Sequence, residues 1–143
     1  MAVIVSRYNE LVTRRLLDGA LECAGEAGMT DEDLDVVWVP GAFELGAAAA
    51  ELGGSGRYAA LVALGAVVRG ETPHFDYVAR EASRALAAVS VQHVIAVGFG
   101  LLTVDTMEQA TDRAGGKAGN KGYEAMAAAL ETADVMRQLR ERP

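Results

Sequence analysis

Short apolar runs alternate with amphipathic stretches along this chain, and turn residues mark most changes of period. Ala2 to Val5 and Leu34 to Val39 are compact runs rich in Val, the pattern of buried strands. Ala59 to Val68 is a longer run of the same kind, and His93 to Gly98 supplies a fourth. Between the first two, Glu10 to Ala27 sets Leu17, Ala20, Leu21 and Ala24 on one helical face, with Gly28 as its stop. Thr30-Asp31-Glu32-Asp33 reads as a solvated acidic turn. Pro40-Gly41 ends the second strand, a helix is expected from Ala42 to Leu52, and Gly53-Gly54-Ser55-Gly56 is the clearest loop. Val78 to Val91 reads as a third helix. After the fourth strand, Asp105 is expected to cap a helix, with Glu108 closing a capping box and Gly115-Gly116 ending it. A last helix is expected from Tyr123 to Leu139, where Met126, Ala129, Leu130 and Ala133 repeat the helical spacing.

Four strands alternating with helices across short joints predict a parallel sheet covered on both faces. With right-handed crossovers this is a three-layer α/β/α sandwich on a four-stranded parallel, flavodoxin-like sheet, formed by residues 1–143 as a single domain.

Composition narrows the partners. A net charge of -7 and a pI near 4.8 make nucleic acid and anionic membrane surfaces poor general partners, so an anionic substrate needs a local basic site. The single cysteine, Cys23, excludes an intrachain disulfide and a thiolate cluster. The first residues lack the basic start and the length of a secretory signal, and no apolar run spans a bilayer, so a soluble cytoplasmic protein is expected. The surplus of alanine suits close helix packing and subunit interfaces.

In an open parallel sheet the ligand sits beyond the carboxyl ends of the strands. Those exits are Ser6 to Asn9, Pro40 to Glu44, Arg69 to Tyr77, and Phe99 to Thr103. The third, Arg69-Gly70-Glu71-Thr72-Pro73-His74-Phe75-Asp76-Tyr77, is densest in chemistry. Five of the eight aromatic side chains fall at the exits (Tyr8, Phe43, Phe75, Tyr77 and Phe99), which predicts flat faces for a heteroaromatic ligand. Taken singly, each ring reads more readily as a plug for the end of the core. His74 is a candidate lone proton shuttle, because imidazole titrates closest to neutral pH. Ser6, His74 and Asp76 also admit a nucleophilic triad, although no Gly-x-Ser-x-Gly elbow is present. The plain alternative is an ordinary strand-to-helix joint capped by Thr72 or Asp76. Metal binding fails on ligand count, since His93 lies elsewhere as a core-edge or interface residue. Both lysines, Lys117 and Lys121, fall in the stretch from Arg113 to Gly122. It lacks the ending of a P-loop, and admits either an anion site of Arg113 and backbone N–H groups or a flexible helix-helix joint.

These segments resemble the 6,7-dimethyl-8-ribityllumazine synthase family. The likeness rests on Ser6 to Asn9, Val39 to Glu44, Gly65 to Tyr77, Gly98 to Gln109 and Arg113 to Glu124, in the family's order over nearly the whole chain. The Arg-Gly-Glu-Thr-Pro-His-Phe-Asp-Tyr and Ala-Gly-Asn-Lys-Gly stretches are specific when they occur together. The resemblance implies condensation of 5-amino-6-(D-ribitylamino)uracil with 3,4-dihydroxy-2-butanone 4-phosphate, the penultimate step of riboflavin biosynthesis, with no metal and no organic cofactor. It implies that Tyr8, where the family most often has Phe, stacks on the pyrimidine. Ala42, Phe43 and Glu44 would hold the ribityl chain, and the backbone of Ala66, Val67 and Val68 would read the ring edge. Glu71 and Thr72 would form the phosphate-side turn, and His74 the general acid/base. Phe99 and Arg113 would come from a neighbouring subunit, closing the pocket and binding phosphate, and Lys121 would be a pocket lysine.

The resemblance further implies a homopentamer with active sites between adjacent subunits, and association with riboflavin synthase. The short joint Gly115 to Gly119 is the form found in members that build a sixty-subunit icosahedral shell. Family members carry a further strand before the first one here, so a sheet without that strand is expected. Two readings compete. One is a non-catalytic flavin- or lumazine-binding shell protein of the same fold, against which the retention of His74, Arg113 and Lys121 speaks. The other, independent of the resemblance, is a monomeric flavodoxin-like module binding phosphate or nucleotide.

Overall fold

A computed structural model describes all residues from Met1 to Pro143. Four parallel strands, β1 (Ala2–Ser6), β2 (Asp35–Val39), β3 (Ala60–Val68) and β4 (Ala96–Val104), lie in the order β2-β1-β3-β4. Helices α1 (Glu10–Glu26) and α5 (Lys121–Glu141) cover one face. Helices α2 (Leu45–Gly54) and α3 (His74–His93) cover the other. The expected three-layer α/β/α sandwich is the observed one.

Side-chain alternation divides the core between the layers. Val3, Val5, Val62 and Leu64 pack with Leu16 and Met126 on one side, while Ile4, Leu61 and Ala63 pack with Leu45 and Leu86 on the other. Every residue of β1 is buried, as a central parallel strand requires. On α1, Leu16 is fully buried and Leu21 is 36% exposed, so the inward stripe runs through Val12, Leu16 and Cys23 rather than through Leu21. Gly28, at φ +88°, ends the helix as expected.

Several boundaries differ from the expectation. Helix α2 continues through Gly53 and Gly54 instead of stopping before them. The end of α3 lies against both glycines: a Cβ at Gly53 would sit 3.1 Å from Val89 Cγ1, and one at Gly54 3.2 Å from His93 Cε1. His93 is therefore the last residue of α3 rather than the start of a strand, half-buried at the core edge. Helix α3 begins at His74, because Pro73 supplies a compatible φ of -71° and the polar first turn hides the apolar period.

Strand β4 is longer than expected and pairs residue by residue with β3, from Ala60 opposite Ala96 to Val68 opposite Val104. Phe99 therefore lies within the strand, opposite Ala63, and is not a strand exit. Beyond β4, α4 (Met107–Arg113) is capped by Thr106, whose side chain accepts the Gln109 N–H at 3.1 Å. Gln109 Oε1 in turn accepts the Asp105 N–H at 2.8 Å, so the reciprocal cap is one residue later than Asp105 and Glu108. Ala114–Gly116 (β5) and Gly119–Asn120 (β6) form a small antiparallel hairpin where a flexible joint was one reading.

Candidate active site

An open cleft of about 760 Å³ lies beyond the carboxyl ends of β1, β2 and β3. Nine of the expected positions line it: Tyr8 from β1; Ala42, Phe43 and Glu44 from β2; Ala66, Val67 and Val68 from β3; and Thr72 and His74 at the start of α3. Tyr8 is 72% exposed and Phe43 63% exposed, so both rings are open to the cleft and neither plugs the core.

Backbone geometry holds these parts. The chain leaving β1 stays paired with β2, with Arg7 N–H donating to Val39 O at 2.8 Å and Tyr8 N–H to Pro40 O at 3.0 Å. Asn9 then adopts the left-handed conformation, at φ 63° and ψ 45°, and its Nδ2 donates to the Ala66 carbonyl at 2.9 Å. That bond ties the exit of β1 to the end of β3. Asn9 is a positioning residue that the sequence reading passed over; the only local signal was that asparagine tolerates this conformation.

After β2, Ala42–Glu44 makes one turn of 3₁₀ helix, burying Ala42 and leaving Phe43 outward and Glu44 half-buried. Strand β3 outruns β1: their pairing ends at Val5 opposite Leu64, whereas β3 and β4 remain paired to Val68. Ala66, Val67 and Val68 therefore have no strand partner on the β1 side, the side of the cleft. Backbone groups left without a ladder partner there can bind the polar edge of a ring.

Within the Arg69–Tyr77 segment the roles divide. Thr72 Oγ1 lies 3.5 Å from the His74 N–H, and the His74 side chain is exposed at the mouth of the cleft. Phe75 is buried beneath Arg69, whose guanidinium carbon is 4.4 Å from the ring centroid. Tyr77, one of the exit aromatics, lines the cleft and is 64% exposed. Glu81, one α3 turn further on, also lines it and was not expected. Asp76 does not cap the helix but lies within its first turn, 3.5 Å from Arg69.

Four expected residues stand apart from the cleft. Glu71 is exposed on the turn beside Thr72 and does not line it. Phe99 shares the sheet face of Val97 and Leu101 on the edge strand β4, where it is 52% exposed. Arg113 lines a second cleft, of about 450 Å³, with Arg69, Arg80 and Asp105. Arg113 Nη1 donates to Gln109 O at 3.1 Å and makes no ion pair, so its fork is free to take an anion. Lys121 opens α5, on the opposite sheet face from α3, with Nζ 3.4 Å from Glu124.

Two alternative chemistries fall here. The Ser6 hydroxyl is fully buried without a hydrogen-bond partner, while His74 is exposed, so Ser6, His74 and Asp76 form no triad. The backbone N–H groups of Gly122 and Tyr123 are already bonded to Asn120 Oδ1, at 2.8 and 3.1 Å, and Ala118 N–H to Asp112 O at 2.9 Å. These three amides are therefore not free to cradle an anion.

The fold is that of a flavodoxin-like α/β protein, with an aromatic-lined cleft at the strand ends and an imidazole at its mouth. A family model described as 6,7-dimethyl-8-ribityllumazine synthase matches residues 1–137. A 6,7-dimethyl-8-ribityllumazine synthase from Nitratidesulfovibrio vulgaris (strain DSM 19637 / Miyazaki F) is 53% identical over 138 residues, covering 96% of this chain and 88% of that protein. The chain belongs to the 6,7-dimethyl-8-ribityllumazine synthase family.

Proposed function

We propose that this cleft joins 5-amino-6-(D-ribitylamino)uracil to 3,4-dihydroxy-2-butanone 4-phosphate, giving 6,7-dimethyl-8-ribityllumazine with release of phosphate and water. Residues 1–143 act as one lumazine-synthase-like domain. The observation that carries this reading is the grouping around one cleft of two exposed aromatic rings, His74, and the edge of β3 beyond its pairing with β1, where Asn9 takes the Ala66 carbonyl.

The pyrimidine stacks on Tyr8, with its polar edge against Ala66, Val67 and Val68. Its ribityl chain runs along Ala42 and Phe43, with hydroxyls donating to Glu44. The substrate's free amine attacks the ketone to form an imine with loss of one water, phosphate is eliminated, and the second amine closes the ring with loss of a second water. Each step moves a proton, and His74, whose imidazole makes no hydrogen bond or ion pair in the chain, is placed to move it. Holding both substrates together supplies much of the acceleration. Thr72 and Glu71 shape the phosphate side, and the fixed charge of Arg113 stabilises the leaving group.

Phe99 and Arg113 reach the cleft of a neighbouring subunit, and Lys121 approaches the pocket in the same assembly. Their positions away from their own cleft support this, as do exposed Leu11 (85%) and Val91 (81%), which await cover. The assembly is a homopentamer, and the short hairpin favours packing of pentamers into an icosahedral shell in association with riboflavin synthase. No helix is long and apolar enough to cross a membrane. The proposed place of action is the cytoplasm.

The test is lumazine absorbance formed from the two substrates by the purified assembly. Tight product binding without turnover would favour the non-catalytic shell protein and sink the catalytic assignment.

A further inference from the structure

Arg69 is the most heavily tied side chain near the site, although it does not line the substrate cleft and its side chain is 48% exposed. Its backbone N–H donates to Val104 O at 2.9 Å, fixing the end of β3 to the end of β4. Its Nε donates to Asp105 Oδ1 at 3.0 Å, and its Nη1 lies 3.5 Å from Asp76 Oδ1. The guanidinium plane also covers the buried Phe75 ring. His74 is followed directly by Phe75 and Asp76, so the residue that opens α3 adjoins two groups that Arg69 holds.

The contacts continue in the other direction. The Asp105 N–H donates to Gln109 Oε1 at 2.8 Å, and the Gln109 carbonyl accepts from Arg113 Nη1 at 3.1 Å. Arg69 and Arg113 line the same second cleft. Asp105 and Asp76 neutralise Arg69, which leaves Arg113 and Arg80 as cations without a carboxylate partner there, and of the two Arg113 has a backbone support.

We infer that Arg69 is a positioning residue for the condensation: it clamps the first turn of α3, and with it His74, onto the end of β4 and the helix that carries Arg113. The inference rests on the acid/base and phosphate roles proposed above. One clamp thus orients the imidazole in its own cleft and the guanidinium that serves a neighbour. Two carboxylates and a ring need a planar, forked cation, and a lysine ammonium on a flexible stem cannot serve all three at once. The ion pairs are half-exposed, with side-chain exposures of 48%, 49% and 67% for Arg69, Asp76 and Asp105. Such pairs add little to global stability, so their loss shows in geometry rather than in unfolding.

The experiment compares R69K, R69Q, D105N and R69Q/D105N in the assembled protein, measuring kcat, KM for the phosphate substrate, melting temperature and affinity for the lumazine product. In R69Q, kcat is expected to fall about tenfold and KM for the phosphate substrate to rise, with product affinity within roughly twofold. R69K should recover little of the loss, and the double variant should be no worse than R69Q alone. Full activity in R69Q, rescue by R69K, additive losses in the double variant, or a parallel collapse of melting temperature and product affinity would each overturn the inference. H74A and R113A are assayed alongside. If they too keep full turnover, the underlying site reading fails; if they lose it while R69Q does not, only the clamp fails.

Discussion

Asn9 Nδ2 and the Ala66 carbonyl, 57 positions apart, are joined at 2.9 Å, and Asn9 makes that bond from a left-handed backbone. Replacement by alanine removes the bond and leaves a β-carbon in a conformation it resists, at a combined cost of about 1–3 kcal/mol. Asn9→Gly keeps the conformation and loses the bond, so it should cost less. Thermal melting of the two variants checks this; equal losses would show that backbone conformation contributes nothing. Tyr8 adjoins the tie, so product affinity should fall in both.

Tyr8 presents a face, not its hydroxyl, in the proposed complex. Tyr8→Phe should leave product affinity within about twofold, whereas Tyr8→Ala should weaken it by roughly tenfold. Fluorescence titration with the lumazine product decides, and a large loss in Tyr8→Phe would mean that the phenol makes a polar contact.

His74→Ala should lower kcat by roughly tenfold to a thousandfold while leaving product affinity nearly unchanged. Arg113→Ala should instead act on the phosphate substrate, raising its KM by about tenfold or more. Stopped-flow and steady-state assays separate the two effects. Equal behaviour of both variants toward a phosphate-free ligand and the phosphate substrate would argue against the division of roles.

The Tyr123 phenol donates to the Glu26 carboxylate across the contact between α5 and α1. That bond, reinforced by the carboxylate's charge, raises its pKa from the ordinary 10.0 to about 12. A raised folded pKa favours the protonated form, so the contribution is fully present below pH 10 and is lost as pH rises through 12. The melting difference between the natural chain and Tyr123→Phe should therefore shrink across that window. Absorbance titration should show the highest-pH tyrosine step vanish in the variant.

The order of elements was legible because apolar runs and helical faces change period at glycines, prolines and polar clusters. The length of β4 was not: Phe99-Gly100 interrupts an apolar run that backbone pairing with β3 carries straight through. The early start of α3 was hidden for the converse reason, a polar first turn with no apolar period. Six of the nine cleft-lining positions could be read from their places after strands, whereas Ala66, Val67 and Val68, inside the expected third strand, came only from the family resemblance. The Asn9–Ala66 tie could not, because it depends on a backbone conformation and on a partner far along the chain. Nor could the free edge of β3, which exists only because β1 stops short of it.

The placement of Phe99 and Arg113 away from their own cleft bears on how damage would spread. In the shared site proposed above, every chain is half-owner of two reaction centres. An H74A/R113A chain co-assembled with intact chains would therefore silence its own cleft and one beside it. Residual activity in such mixtures should follow the square of the intact fraction, whereas self-sufficient subunits would give a straight line.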